Sequence, residues 1–323
     1  MSGTPIRVDV FDDFHLHGAS APEWNQCYVQ LSPGTMRSTL TEATSGRVHL
    51  FRKWMSERVV QQGHLPAGQI CFALLNGRAT GVSRMQGHEL REDQIFLLRS
   101  GEEFAIQRSN GMELLALTFQ AEDFRGLLDE RPWPQQARAL LSRQAVRVPA
   151  GELQRMRKQL FGMLGQPLPW HSASQAFGRD LVLTGLFESL RALFEHACGV
   201  RETLSSASAG FIVAESHRIV AASGDTPPDI EAICQRLRTS RRSLQNSFRQ
   251  VADTTPVQYL RGLRLNLVRT RLMSTRQAQL SVSQAATDQG FMHLSHFTER
   301  YKATFGELPS QTLRAPDTGE RAR

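Results

Sequence analysis

IEAICQRLRTSRRSLQNSFRQV, residues 230–251, reads as helix, tight turn, helix. Ile230, Ile233, Cys234 and Leu237 recur at i, i+3, i+4 and i+7, which sets them on one apolar helical face. Thr239-Ser240 follows as a turn whose hydroxyls can cap the free N–H groups of the next helix. That second helix would bury Leu244, Phe248 and Val251 and turn Arg241, Arg242, Gln245, Asn246 and Arg249 outward. A helix-turn-helix pattern met once is also what a plain helical bundle with solvated charges would show.

Working outward, the chain repeats itself. At a shift of 53 residues, Leu244 meets Phe297, Phe248 meets Tyr301, Arg249 meets Lys302, Pro256 meets Pro309, Gln258 meets Gln311 and Arg261 meets Arg314. The second copy has Val282, Ala285 and Ala286 on its first helix, Gly290 at the turn, and Phe291, Leu294, Phe297 and Tyr301 as core. Between the copies, Thr255-Pro256-Val257-Gln258 is a strong helix start: a Thr cap, Pro at the first position, Gln three residues after the cap. The helix predicted over 255–273 would span roughly 28 Å at 1.5 Å per residue. That approaches the ~34 Å between successive major-groove faces on one side of a duplex.

Charge is distributed unevenly. Residues 207–314 hold 14 Lys+Arg against 8 Asp+Glu, a net of +6, whereas residues 1–206 hold 22 against 21 and residues 315–323 hold 2 against 2. Nearly all of the overall +7 therefore sits with the repeat. A basic surface alone is unspecific, but on two helix-turn-helix units in register it points to phosphate backbone.

This segment resembles the C-terminal DNA-binding domain of AraC/XylS-type regulators. The carrying residues are 240–248 (SRRSLQNSF), 255–260 (TPVQYL), 264–269 (RLNLVR), Gly290-Phe291, Ser295-His296-Phe297, Tyr301-Lys302, Phe305-Gly306 and Pro309, about a third of the chain. The sequence departs from the family at Ala285-Ala286, where Ile-Ala is common, and at Met292-His293, where a Ser or Asp would cap the second reading helix. Asp253-Thr254 replaces a usual Gly, and Glu299 places an acid on an outward position. The resemblance implies that Arg242, Gln245 and Asn246 read bases in the first unit and Ser295, His296 and Glu299 in the second, with Arg241, Arg249, Arg300 and Lys302 on phosphates. The chemistry suits those roles: Arg pairs bidentately with guanine, Gln or Asn with adenine, and Glu accepts from cytosine N4.

Residues 1–123 read mainly as short strands: 27–31, 35–43, 47–55, 69–75, 80–85, 94–98, 103–108 and 112–119, separated by Gly or polar turns. Helices follow around Phe124–Leu128, Leu153–Leu164 and Leu181–Ala197, packing on the same core or forming a dimer seam. The fold class expected is α+β: an antiparallel β-barrel or cupin-like domain with following helices over 1–200, a linker at 201–208 (RETLSSAS), and an all-α tandem helix-turn-helix domain over 209–316, with units at about 229–251 and 281–305.

By the same resemblance the β-domain is a sensor or dimerisation module for a small-molecule effector, and the whole an activator of transcription whose partners are double-stranded promoter DNA, RNA polymerase and a second copy of itself. Trp24, Trp54, Arg37, Arg52, Phe72 and Phe96 are pocket candidates, but apolar core is the better account of the aromatics, and no ligand residue is assigned. A metal-dependent cupin enzyme fused to a DNA-binding tail is the competing class. Its metal would need clustered histidines. The only His-x-His is His15-x-His17, and Cys27, Cys71, Cys198 and Cys234 are scattered without a CxxC pair. No catalytic residue, cofactor or metal ligand is assigned. No apolar run reaches the ~20 residues of a membrane span, and no signal-peptide layout opens the chain, so a cytoplasmic location is expected.

Overall fold

The computed structural model describes residues 6–45, 48–76, 81–165, 175–200, 204–276 and 279–314. Its strands are β1 (Arg7–Phe11), β2 (Cys27–Gln30), β3 (Ser38–Ser45), β4 (Val48–Met55), β5 (Val59–His64), β6 (Gln69–Asn76), β7 (Arg84–Met85), β8 (His88–Glu89), β9 (Gln94–Arg99), β10 (Glu103–Arg108), β11 (Glu113–Gln120), β12 (Ala145–Arg147) and β13 (Cys198–Gly199). The helices are α1 (Phe14–Ala19), α2 (Ala121–Glu130), α3 (Gln135–Leu140), α4 (Ala150–Gly165), α5 (Gln175–Glu195), α6 (Leu204–Ala221), α7 (Ile230–Arg236), α8 (Arg241–Ala252), α9 (Pro256–Ser274), α10 (Val282–Asp288) and α11 (Leu294–Phe305). The α+β class is as expected, with antiparallel sheets first and helices last. Strand starts expected at Arg47 and Thr80 fall outside the described residues.

Two antiparallel sheets face each other without joining into a closed barrel. One runs β1-β3-β4-β11-β6-β9-β12-β13 and the other β2-β5-β10-β7-β8. Side chains alternate across a strand, and in the central strands of the larger sheet both faces are covered. Leu115, Leu117 and Phe119 of β11, Phe72 and Leu74 of β6, and Ile95 and Leu97 of β9 pack against α2, α4 and α5. Their neighbours Leu114, Ala116, Cys71, Ala73, Phe96 and Leu98 point between the sheets. Burial on both faces explains why these strands read as unbroken apolar runs. It also settles where α4 and α5 turn their apolar faces. Leu153, Met156, Leu160, Leu186, Phe187, Leu190 and Phe194 all join the sheet's core.

The smaller sheet is covered on its outer face by the C-terminal helices. Val29 of β2, Val60 of β5 and Ala105 of β10 share one buried cluster with Ala209 and Val213 of α6, Phe248 and Val251 of α8, and Tyr259 and Leu263 of α9. The span read as a linker is thus helical from Leu204 onward, while 201–203 lie outside the described residues. The physical reason is that α6 has partners from Ala209 onward: Ala209 and Val213 are buried with residues of α8 and α9, and a helix anchored by tertiary packing can run back through residues of low apolar content.

Candidate nucleic-acid interface

Helices α7, α8, α9 and α10 each begin where the sequence provides a side-chain cap. Asp229 accepts from the Ala232 N–H at 2.8 Å, Ser240 from Ser243 at 3.0 Å, Thr255 from Gln258 at 3.2 Å and Ser281 from Gln284 at 3.0 Å. His293, ahead of α11, makes no side-chain cap bond. Between α7 and α8 the turn needs a left-handed residue, and Arg238 takes it at φ 48°. Gly290 does the same between α10 and α11 at φ 77°, where glycine bears no Cβ penalty. Asp253, standing where the family usually has Gly, ends α8 at φ 50°, a conformation that Asp tolerates better than most residues.

α9 serves both units. Its first half contributes Tyr259, Leu260 and Leu263 to the core that holds Ile233, Leu244, Phe248 and Val251. Its second half contributes Leu265, Val268 and Leu272 to the core of Ala285, Ala286, Phe297, Tyr301 and Phe305. Ala285 and Ala286 are fully buried, so the small pair is close-packed against α9. Arg271 of α9 and Gln284 of α10 both bind the buried Asp288 carboxylate, tying the spacer to the second unit.

With the apolar faces buried, the opposite faces of α8 and α11 are left to solvent. Arg241, Arg242, Gln245, Asn246 and Arg249 are all exposed on α8, and Ser295, His296, Glu299, Arg300 and Lys302 on α11. The two sets are presented separately, one per unit. Glu299 Oε2 lies 3.7 Å from His296 Nδ1. Sequence reasoning missed Arg261 of α9. Burial lowers its basicity, and the positive charge of the nearby Arg300 lowers it further. The signal was available in the register of α9, but helix periodicity does not say which neighbouring helix a cation faces.

The C-terminal helices dock on the β-domain through the sides away from those exposed residues. Arg58, in the β4–β5 turn, donates to the Ala252 and Asp253 carbonyls at the end of α8 and pairs with the Asp253 carboxylate at 3.2 Å. The Gly34 N–H donates to the Ala303 carbonyl at 3.1 Å and Gln30 to the Thr304 carbonyl at 2.6 Å, holding the end of α11. Arg269 of α9 binds Asp13, at the start of α1, and Glu307 at 2.7 Å. At the centre is a buried polar relay. His217 Nδ1 lies 3.0 Å from the Tyr259 hydroxyl, which also accepts from Gln62 at 3.1 Å, and His217 Nε2 lies 3.3 Å from Cys27 Sγ. Burial lowers the His217 pKa to about 4 and raises that of Cys27 to about 11, so both groups are neutral at pH 7.

Of the pocket candidates, Trp24 and Phe96 line the space between the sheets. Phe72 points to the opposite, helix-covered face, and Arg52 lies over the Phe161 ring and binds Glu113. His15 and His17 diverge: His15 is exposed, while His17 is buried on the Ser38 hydroxyl. Among the described residues no group of three or more His, Cys, Asp or Glu could hold a metal. No helix among them is long and apolar enough to cross a membrane.

Residues 233–315 match the profile of a helix-turn-helix domain family. The chain is 42% identical over 85 residues to XylDLEGF operon transcriptional activator 1 of Pseudomonas putida, a match covering 26% of either protein. It is 40% identical over 84 residues to XylDLEGF operon transcriptional activator 2 of the same organism, covering 26% of this chain and 54% of that one. The chain thus spans about a quarter to a half of the length of these relatives. Among solved structures, the AraC-like transcriptional activator CuxR aligns over 88% of this chain and 100% of its own at 14% identity, with a TM-score of 0.44.

Proposed function

We propose that this chain, whose last third is a tandem helix-turn-helix domain of the AraC/XylS type, is a sequence-specific transcription regulator that grips promoter DNA with α8 and α11. The observation that carries this is the pair of helices, each buried on one face and presenting five polar side chains on the other. The concentrated positive charge supports it, as does the match of this region to proteins named as operon activators. Arg242, Gln245 and Asn246 read bases in the first unit, and Ser295, His296 and Glu299 in the second. Arg241, Arg249, Arg300 and Lys302, joined by Arg261, hold phosphates. The first unit carries most of the recognition, because α8 is capped by Ser240 and has more donors for base edges. The second positions and tunes, with its uncapped α11 and an acid among its outward residues.

The domains divide at about 1–200 and 209–316, and the β-domain binds a small-molecule effector that controls activation. Strands β2, β5 and β10 couple the two parts: each turns alternate residues toward the inter-sheet space and toward α6, α8 and α9. Partners further along the same reading are RNA polymerase and a second copy of the chain, in the cytoplasm, and no catalytic role falls to any residue.

Duplexes enriched from a random pool by the wild-type protein, and scrambled controls, test the proposal at several salt concentrations. Gln245→Ala narrows the specific-to-scrambled affinity ratio by about 1–3 kcal/mol. Arg249→Ala weakens both duplexes alike and lowers the salt slope by about one. An unchanged ratio for Gln245→Ala removes it from base reading, and failure to enrich any sequence overturns the regulator reading.

A further inference from the structure

The space between the two sheets is a cavity of about 50 Å³, on a scale where one water needs roughly 10–15 Å³. Most of its wall is apolar, with Trp24, Phe51, Phe96 and Phe104 contributing rings. Two basic side chains open into it. Arg108 of β10 is fully buried, and its Nε and Nη1 have no hydrogen-bond partner. Lys53 of β4 is 5% exposed; its ammonium hydrogen-bonds only neutral groups, Gln26 Oε1 at 3.0 Å and the Tyr28 hydroxyl at 3.1 Å, while the Glu42 carboxylate acts on it from beyond hydrogen-bond range. Gln61 donates to the same Gln26 oxygen at 2.7 Å, while its own carbonyl oxygen is unpartnered. The single acid among the lining residues, Glu42, is engaged by His49 at 3.2 Å and Arg7 at 3.6 Å.

A guanidinium buried without a counter-ion is strongly unfavourable, and so is a second basic group beside it. The strain registers in both groups: burial lowers the basicity of each, and Arg108 lowers that of Lys53 further. An anion completes the cluster. The planar fork of Arg matches a carboxylate with two parallel N–H donors. The rest of the wall offers hydrocarbon and aromatic surface, which suits an apolar body and leaves the outer oxygens of a phosphate or sulfate unanswered.

We propose that the inter-sheet cavity binds a small monocarboxylic acid, its carboxylate on Arg108 and Lys53 and its slender hydrocarbon body against Trp24, Phe51 and Phe96. This rests on the reading of the β-domain as the effector-binding part of a regulator. The position suits that role, because β10 turns Ile106 and Arg108 into the cavity and Ala105 into the cluster shared with α6, α8 and α9.

The test uses the full chain. Calorimetry and tryptophan fluorescence follow titration with straight-chain and ring-bearing monocarboxylic acids of four to eight carbons, their primary amides, and chloride and phosphate. At least one acid binds saturably at one site, and its amide binds at least tenfold more weakly. Arg108→Met lowers acid affinity at least tenfold without lowering the apo melting temperature, since the variant removes an unpaired buried charge. Lys53→Met gives a second, independent loss should Arg108→Met fail to fold. Equal affinity for acid and amide, unchanged affinity in a folded Arg108→Met protein, or equally tight binding of phosphate or chloride overturns the carboxylate assignment. Amides binding while acids do not overturns it too but leaves the effector reading intact. If no member of the panel binds, both fall.

Discussion

Lowering the pH should weaken the docking of the C-terminal helices on the β-domain, and His217→Gln should remove a defined part of that response. His217 is 8% exposed, held by Tyr259 and Cys27, and its folded pKa of about 4 lies below the free value of 6.5. The unfolded chain therefore takes up a proton first as pH falls. The stability linked to His217 is complete above pH 6.5, falls between pH 6.5 and 4, and is lost below that. Each pH unit in this window is worth about 1.4 kcal/mol, so about 2 kcal/mol is lost between pH 6.5 and 5. His17, lowered to about 2 by burial and by Lys53 and Arg108, has the same sign and contributes a similar amount over the same interval. Urea unfolding at pH 7, 6.5, 6, 5.5 and 5 should then show wild type losing about 2 kcal/mol more than His217→Gln loses between pH 6.5 and 5. The relevant observable is the slope between pH 7 and 5, since the substitution also changes the hydrogen bonds at every pH. Ring resonances give a direct check: in the folded protein the His217 imidazole should stay neutral through pH 5. A His217→Gln stability curve parallel to wild type, or a ring titrating near pH 6.5 while the protein is folded, would refute the reasoning.

Three further outcomes follow from the same contacts. Arg58→Ala removes the donors that cap the end of α8. With Arg58 and Asp253 side chains 31% and 53% exposed, screening leaves about 1–2 kcal/mol, and amide exchange at Ala252–Thr254 should quicken about 5- to 30-fold, with no change pointing to a solvated pair. Gly306→Ala puts a Cβ into Thr35 Oγ1, well inside van der Waals contact, at a φ of 78°. The backbone alone costs about 1–2 kcal/mol. Thermal melting should recover in part when Thr35→Gly is added, and an unimproved double variant would rule out the clash. Ser240→Ala should destabilise by about 1 kcal/mol, whereas His293→Ser should stabilise by up to about that amount by giving α11 its missing cap. Chemical denaturation of both variants measures the contrast, and equal effects would contradict it.

The last third was legible because its determinants are local. A 3.6-residue period at Ile230–Leu237 and Leu244–Val251, hydroxyl caps at Ser240 and Thr255, and Gly290 at a turn each act within a few residues of themselves. The outward residues of α8 and α11 followed because, on a helix with one apolar face, the other face is outward by geometry; the base-reading roles came only from the family resemblance. β6, β9 and β11 of the larger sheet were visible as apolar runs for the related reason that both their faces are buried. β5 was not. VVQQGH sends Gln61 into the cavity and Gln62 to Tyr259, so its polar residues are buried by partners far away in sequence and no alternation marks it as a strand.

The sequence by itself determined two helix-turn-helix units, a rigid spacer between them and a β-rich partner domain, since hydrophobic period, capping and turn chemistry are short-range properties of the chain. Only the tertiary structure decided that α6 begins within the supposed linker, at Leu204, that Arg58, Gln30 and Asp13 clasp the C-terminal helices, and that Arg108 and Lys53 stand together in an apolar space. Burial of a charge is a property of the surroundings, and those surroundings are assembled from β3, β4, β5 and β10, which meet only when two sheets close over each other.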